Sequence, residues 1–331
     1  LLNQKQQSTA GKYTMKRLAT IATLLASTVI AAPALAATGY TQTKYPIVLV
    51  HGIFGFNNFL GADYFYQIPS TLQADGGRVH VATVSAVGSN ELRGEQLIKE
   101  MQDLKAIYGY SKFNLIGHSQ GSPTSRYAAA IRPDLVASVT SVDGVNKGSR
   151  VADVVRKVAP AGTVTSAVFA SVADGLAAFL TFVYGTPNLD QSSIAALDSL
   201  TTQGLTTFNS KYPAGVPSGC GEGAYSYNYV KNGVTHKVNY YSWGGERVLT
   251  NVLDPLDAGI GLLSAAFLFS GEQNDGLVSS CSQRLGKVIR SNYGNNHLDV
   301  INGFFGIVNL FETNPKTIYR THANRLQIEG L

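Results

Sequence analysis

The tightest constraint in this chain is a five-residue run, Gly117-His118-Ser119-Gln120-Gly121, set between an apolar stretch, Phe113-Asn114-Leu115-Ile116, and a helix-like one, Tyr127-Ala128-Ala129-Ala130-Ile131. Glycine supplies 34 of the 331 residues, so the bare pattern G-x-S-x-G carries little weight. Its setting carries much more. A strand entering and a helix leaving force the serine onto a sharp, strained turn, and a glycine two residues to either side leaves room for that turn. Such a serine stands at the carboxyl end of a sheet, its hydroxyl exposed and a helix N-terminus beneath it. The alternative is a Gly-Ser turn without chemistry.

The remaining sequence supplies the sheet that this turn requires. Short β-branched and aromatic runs recur at residues 47–50, 79–84, 113–116, 136–142, 238–243 and 287–290. Their continuous apolar character suits strands buried on both faces. Between the early ones, Leu92, Leu97, Met101, Leu104 and Ile107 follow a helical spacing. Alternating strand and helix predicts an α/β fold with a mostly parallel central sheet of about six strands and helices on both faces. No internal repeat or low-complexity linker interrupts it. Residues 161–185 form an unusually apolar segment whose only charge is Asp174. By composition it reads as a core helix; next to chemistry that acts on lipid it would read as a mobile helical lid.

Met15, Lys16 and Arg17 precede an apolar run over residues 18–32 and then Ala34-Leu35-Ala36. A basic region, a short apolar region and a small-residue cleavage site make a secretory signal peptide over 15–36, cleaved after Ala36, with residues 1–14 upstream of the start at Met15. The other reading is a membrane anchor. Thr20, Thr23, Ser27 and Thr28 interrupt the run and Pro33 follows it, so no transmembrane anchor is expected. The mature protein is then one domain over 37–331, exported through the periplasm to the extracellular side. Four of the cationic residues and no acidic ones lie in residues 1–36, so a formal net charge of +5 falls to +1 without the leader. No basic cluster remains to suggest nucleic-acid binding. Cys220 and Cys281 are the only cysteines, and in an exported chain an isolated pair reads as a disulfide, with two free buried thiols as the alternative.

A serine hydroxyl becomes a nucleophile when a base takes its proton, and a carboxylate should orient that base. Of six histidines, His51 and His118 belong to other motifs, His80 and His236 lie in or beside predicted strands, and His322 lies beyond the last predicted helix. His297 remains, between the last predicted strand and a helical stretch expected over 300–311. The chain order serine, acid, histidine selects it. Asp275, in Asn274-Asp275-Gly276-Leu277-Val278, has the turn chemistry expected of the acid's loop. Asp254 and Asp257 compete with it, and all three also suit ordinary caps or turns. Acyl transfer further needs two backbone N–H groups aimed at the developing oxyanion. One is expected from Gln120 and the other from Ile53, in the loop His51-Gly52-Ile53-Phe54-Gly55-Phe56 that follows residues 47–50.

Here the chain resembles the secreted Gram-negative bacterial triacylglycerol lipases of family I, the foldase-dependent true lipases of the α/β-hydrolase superfamily. The resemblance runs from about Tyr40 to the C-terminus. It rests on Tyr45 to Gly52, Asn114 to Gly121, Cys220-Gly221-Glu222-Gly223-Ala224-Tyr225, Asn274 to Val278, Asn296-His297-Leu298-Asp299 and Tyr319 to Leu326. It implies a Ser119, Asp275, His297 triad, oxyanion donors at Ile53 and Gln120, a Cys220 to Cys281 disulfide and a lid within 161–185. It also implies one structural calcium ion, held by Asp254 and Asp299 and by the backbone carbonyls of Gly303 and Ile307, and a dedicated foldase during export. Gly303 departs from the glutamine often found there, and residues 226–237 form a variable insertion. The carboxylates and carbonyls suit a hard cation. The expected function is hydrolysis of long-chain acyl esters at lipid-water interfaces. A carboxylesterase for short soluble esters is the alternative, and a non-catalytic binding protein on the same scaffold is the reading from another class.

Overall fold

The computed structural model describes residues 39–55, 63–160, 162, 164–185 and 191–331, so the expected leader lies outside the described residues, as do Ala161, Thr163 and Phe56. The order begins β1 (Ile47–Val50), α1 (Ile68–Ala74), β2 (Val79–Val81), α2 (Asn90–Tyr108), β3 (Phe113–His118), α3 (Gly121–Ile131) and β4 (Val136–Val142). Helices α4 (Arg150–Val155), α5 (Ser166–Tyr184), α6 (Gln191–Leu200) and α7 (Thr202–Lys211) precede β5 (Ser226–Lys231) and β6 (Val234–Gly245). Then come α8 (Asp257–Leu263), α9 (Ser280–Gln283), β7 (Lys287–Tyr293) and α10 (Pro315–Ile328).

The strands run β2-β1-β3-β4-β6, all parallel. Beyond β4, the long β6 pairs twice along its outer edge: Val234 to Asn239 antiparallel with β5, then Tyr241 to Gly245 parallel with β7. The sheet therefore has seven strands where about six are expected. The extra one lies in the 226–237 insertion, where Asn232 and Gly233 both take left-handed φ values (51° and 75°) and close a two-residue hairpin turn.

The alternation of side chains along the strands divides the core in two. Val48, Val50, Leu115 and Val139 point to one face and meet Leu97 and Met101 of α2, Ala128 of α3 and Phe208 of α7. Ile47, Leu49, Ile116 and Trp243 point to the other and meet Leu72 of α1 and Ile318 and Tyr319 of α10. Helices thus cover both faces, as a parallel sheet requires.

Three expectations change here. Helix α5 is no core helix: only 28 % of its most apolar window is buried. One stripe, Val168 and Val172, packs on Val151, Val154, Leu263 and Phe267, while Phe169 and Tyr184 are exposed. The helix expected over 300–311 is instead a single 3-10 turn, Asp299–Ile301, followed by a loop in which Asn302, Gly303, Phe305 and Gly306 all have positive φ. Four left-handed residues in five cannot continue a helix. His322 sits within α10, fully buried, with its Nε2 2.8 Å from the Thr140 hydroxyl.

Cys220 and Cys281 form the expected disulfide, closing 61 residues of sequence. Cys281 lies in α9, which also carries Gln283 into the site described below. Closing a loop of this length contributes about 4 kcal/mol in the chain-entropy model. Replacing both cysteines by serine should lower stability by roughly 2 to 4 kcal/mol, read as the urea midpoint at unchanged m-value; an unchanged midpoint would remove the bond's structural role.

Candidate active site

Ser119 follows β3 directly and has φ 55°, the left-handed region that a non-glycine residue enters only under constraint. Its backbone N–H donates to the Val142 carbonyl of β4 (3.0 Å), and its carbonyl accepts from Ser122 (3.1 Å) and Val145 (3.3 Å). The turn closes because α3 begins with Gly121 hard against β1: a Cβ there would lie 2.1 Å from the Val50 carbonyl oxygen. The loop after β1 approaches as closely, since a Cβ on Gly52 would meet the Ser119 Cβ at 2.7 Å. The two expected oxyanion donors therefore flank Ser119 on neighbouring loops. Among the described residues, neither the Ile53 nor the Gln120 N–H meets a hydrogen-bond acceptor.

His297 lies in the loop after β7, buried, with Nδ1 2.7 Å from Asp275 Oδ2. A carboxylate accepts, so Nδ1 carries the proton and Nε2 keeps its lone pair. Asp275 is well supplied with donors: Oδ1 accepts from the backbone of Leu277 (2.9 Å) and Val278 (2.7 Å), and Oδ2 also accepts from Gln283 Nε2 (2.9 Å). The His297 N–H in turn donates to the Asp275 carbonyl (3.0 Å). Ser119 and His297 line one apolar cavity with Ile53, and Leu176, Phe179 and Val183 of α5 form part of its wall. Ser119 Oγ makes no hydrogen bond to His297 in this conformation, a contact that commonly tightens only when substrate arrives.

Arg93 and Tyr64, to which the sequence assigns no role, and His51 and His118, which it places in other motifs, complete the frame. Arg93 of α2 is fully buried and donates from Nη1 to the Gly52 carbonyl (3.0 Å) and Gln120 Oε1 (2.8 Å), and from Nη2 to the His51 carbonyl. One guanidinium thus ties both oxyanion loops together. Burial, then the Arg93 charge, pushes His51 down to about 4; its Nδ1 lies 2.8 Å from the Gly52 carbonyl oxygen and its Nε2 3.0 Å from that of Val84, and a neutral ring donates to one of the two. Opposite, His118 Nε2 donates to the His297 carbonyl (2.9 Å), so its Nδ1 accepts from the Tyr64 hydroxyl (2.7 Å), which itself accepts from the Gly52 N–H (3.0 Å). Burial and the neighbouring His297 hold His118 well below the usual imidazole range, consistent with that neutral tautomer. A chain of hydrogen bonds therefore runs from the oxyanion loop to the histidine loop.

The three candidate acids separate cleanly. Asp257 accepts from the backbone of Thr250 (2.7 Å) and Asn251 (2.8 Å) and from Asn296 Nδ2 (2.6 Å), beside His297. Asp254 Oδ2 and Asp299 Oδ1 are buried and have no donor. Burial raises Asp254 to about 6 and Asp299 to about 7, with Asp257 adding repulsion to both. At Gly303, φ is 52° and a Cβ would lie 2.6 Å from the Ile307 carbonyl oxygen, so the two carbonyl-bearing residues fold close together. Two donorless carboxylate oxygens beside a turned-back loop fit the oxygen ligands that calcium takes.

Residues 45–274 match the family model described as alpha/beta hydrolase fold. A triacylglycerol lipase of Vibrio cholerae serotype O1 is 54 % identical over 91 % of this chain and 93 % of its own length. One from Pseudomonas fragi is 41 % identical over 88 % and 98 %. The crystal structure of a Bacillus licheniformis lipase in its mature form superposes with a TM-score of 0.54 at 16 % identity, covering 81 % of this chain and 89 % of that one, which speaks for the fold alone. The chain belongs to the triacylglycerol lipase family, hydrolases built on the α/β-hydrolase fold.

Proposed function

We propose that this protein hydrolyses long-chain acyl esters of glycerol at lipid-water interfaces, with Ser119 as nucleophile, His297 as base and Asp275 as the carboxylate that orients it. One observation carries the reading. A serine on a left-handed turn faces the same apolar cavity as a histidine whose Nδ1 is committed to a buried carboxylate. His297 Nε2 takes the Ser119 proton as Oγ attacks the ester carbonyl, and the Ile53 and Gln120 N–H groups receive the oxyanion. The imidazolium then protonates the leaving alcohol. Water, deprotonated by the same nitrogen, releases the fatty acid.

The names of the relatives and the apolar wall supplied by α5 support acylglycerols over short soluble esters. Helix α5 is the lid in this reading, its exposed apolar residues meeting the lipid surface. Calcium at Asp254, Asp299 and the Gly303 and Ile307 carbonyls would supply positive charge beside the histidine loop and take no part in proton transfer. The leader over 15–36 and the disulfide accord with export through the periplasm, with a foldase as partner.

Ser119→Ala should lower kcat on tributyrin and on a palmitoyl ester by about 10⁵-fold or more with unchanged melting; full turnover would move the nucleophile elsewhere. The unaltered enzyme should favour palmitoyl over butyryl esters and show a rise in rate as substrate passes its solubility limit. A smooth saturation curve would return the short-ester reading.

EDTA should lower Tm by about 5 °C or more, and added calcium should restore it. Differential scanning calorimetry decides this, and an unmoved Tm removes the ion.

Arg93→Met strands the His51 and Gly52 carbonyls and Gln120 Oε1. Urea unfolding should show a loss of roughly 3 kcal/mol, and kcat should fall by about 10 to 100-fold with KM nearly constant. Equal loss in kcat and KM terms would assign Arg93 to binding.

A further inference from the structure

Behind His297 lie two carboxyl groups. Asp143 stands at the carboxyl end of β4 with its side chain fully buried and φ 45°, a left-handed conformation costly for a side chain at the end of a central strand. Its Oδ1 accepts from the Gly245 N–H (2.7 Å), a bond that asparagine would make equally well. Its Oδ2 has no donor. Asp275 is its immediate neighbour, and a carboxylate oxygen of Asp143 lies within 4.8 Å of a ring nitrogen of both His118 and His297.

Two ordinary explanations fail. A metal ion bound by Asp143, His118 and His297 would have to displace protons already committed, since both nitrogens of His118 and the Nδ1 of His297 are hydrogen-bonded. A purely structural aspartate would pair its second oxygen. An unpaired buried carboxylate oxygen is expensive to keep.

We propose that Asp143 is a positioning residue for His297: a second carboxyl that shares one negative charge with Asp275 and takes over the histidine hydrogen bond when Asp275 is removed. The inference rests on the reading of Ser119, Asp275 and His297 given above. Two carboxyl groups in one dry site cannot both ionise cheaply. Asp275, with four donors around it, is the better-stabilised anion. Asp143, pushed well above the usual carboxylate range by burial and then by the Asp275 charge, keeps its proton. That proton gives the pair a donor where two carboxylates would only repel. When Asp275 is lost, the repulsion is lost with it. Asp143 then ionises, and the charge needed opposite the imidazolium is still one.

The test is a comparison of purified Asp275→Ala, Asp143→Asn and the double variant, hydrolysing p-nitrophenyl butyrate, each checked for native melting. Asp275→Ala should keep kcat within about 100-fold of the parent, and adding Asp143→Asn should bring the total loss to roughly 10⁴-fold with KM little changed. In the Asp275→Ala background, Asp143→Glu should hold more activity than Asp143→Asn. A structural role would be served by asparagine and would show the opposite order. Equal kcat for Asp275→Ala and its Asp143→Asn double variant overturns the proposal while leaving the triad standing. Full activity of Asp275→Ala together with collapse in Asp143→Asn alone overturns the shared-charge assignment and the triad together. Should the double variant fail to fold, proton NMR of Asp275→Ala still decides. The strongly downfield His297 Nδ1–H resonance persists if Asp143 has accepted it, and its disappearance overturns the proposal.

Discussion

The site depends on one backbone conformation. A left-handed serine between a strand and a helix costs about 1 to 3 kcal/mol, and it persists only where its surroundings leave no alternative. Here the Ser119 N–H is claimed by β4, its carbonyl by the start of α3 and by the loop after β4, and the helix itself is pinned against β1 through Gly121. Relaxing Ser119 would break its bonds to β4, to the loop after β4 and to the start of α3, and would disturb the packing of that helix on β1. The same pinning explains why the site forms where it does. Strands β1, β3 and β4 are adjacent and parallel, so the loops leaving their carboxyl ends, with Gly52, Ser119 and Asp143, emerge side by side.

Around that fixed point the polar groups fall into two sets joined by a bridge. Arg93 holds the oxyanion side by donating to both of its loops, and Asp275 with Gln283 holds the histidine side. Tyr64 and His118 connect Gly52 to the His297 carbonyl. Each set is nearly dry, which strengthens its hydrogen bonds and makes any unpaired member costly. A neutral His118 is required for the bridge to run in one direction, since its Nδ1 must accept while its Nε2 donates. Burial secures that neutrality, so the apolar packing around the ring is part of the polar arrangement.

The three groups proposed as the catalytic triad were the most legible in the sequence. Ser119, Asp275 and His297 sit in short motifs because each needs a particular turn, and turns leave local signatures. The supporting groups have no such signature. Leu92 was read into the apolar stripe of α2, yet it is 52 % exposed while its neighbour Arg93 is fully buried. A hydrophobic period treats every arginine as a surface residue and misses one whose Nη1 and Nη2 groups find partners inside. Asp143 and Tyr64 escape because their partners are distant in sequence, and Gln283, eight residues from Asp275, because no turn motif marks it. Two other omissions had visible cues. Asn232-Gly233 is a strong hairpin signal inside a stretch set aside as an insertion. Asn314-Pro315 caps and opens α10, with the Asn314 side chain accepting from Lys316 (3.0 Å).

The acidic groups beneath the histidine loop pose one electrostatic problem with two solutions. Asp143 feels Asp275 and Asp299, and Asp299 feels Asp254 and Asp257, so ionising every one of these groups in a buried region would oppose folding. Asp257 is relieved by backbone and Asn296 donors. Asp254 and Asp299 each retain a bare oxygen, which the proposed cation would satisfy without altering the charge opposite His297. Asp143 is not among the proposed ligands of that cation. A retained proton is the remaining means of removing its charge. The two devices differ in what they leave available: a bound ion would fix the loop, whereas a shared proton can move. Catalysis requires one negative charge behind the histidine as the imidazolium forms, and the proton-sharing pair keeps that number constant whichever carboxyl holds it.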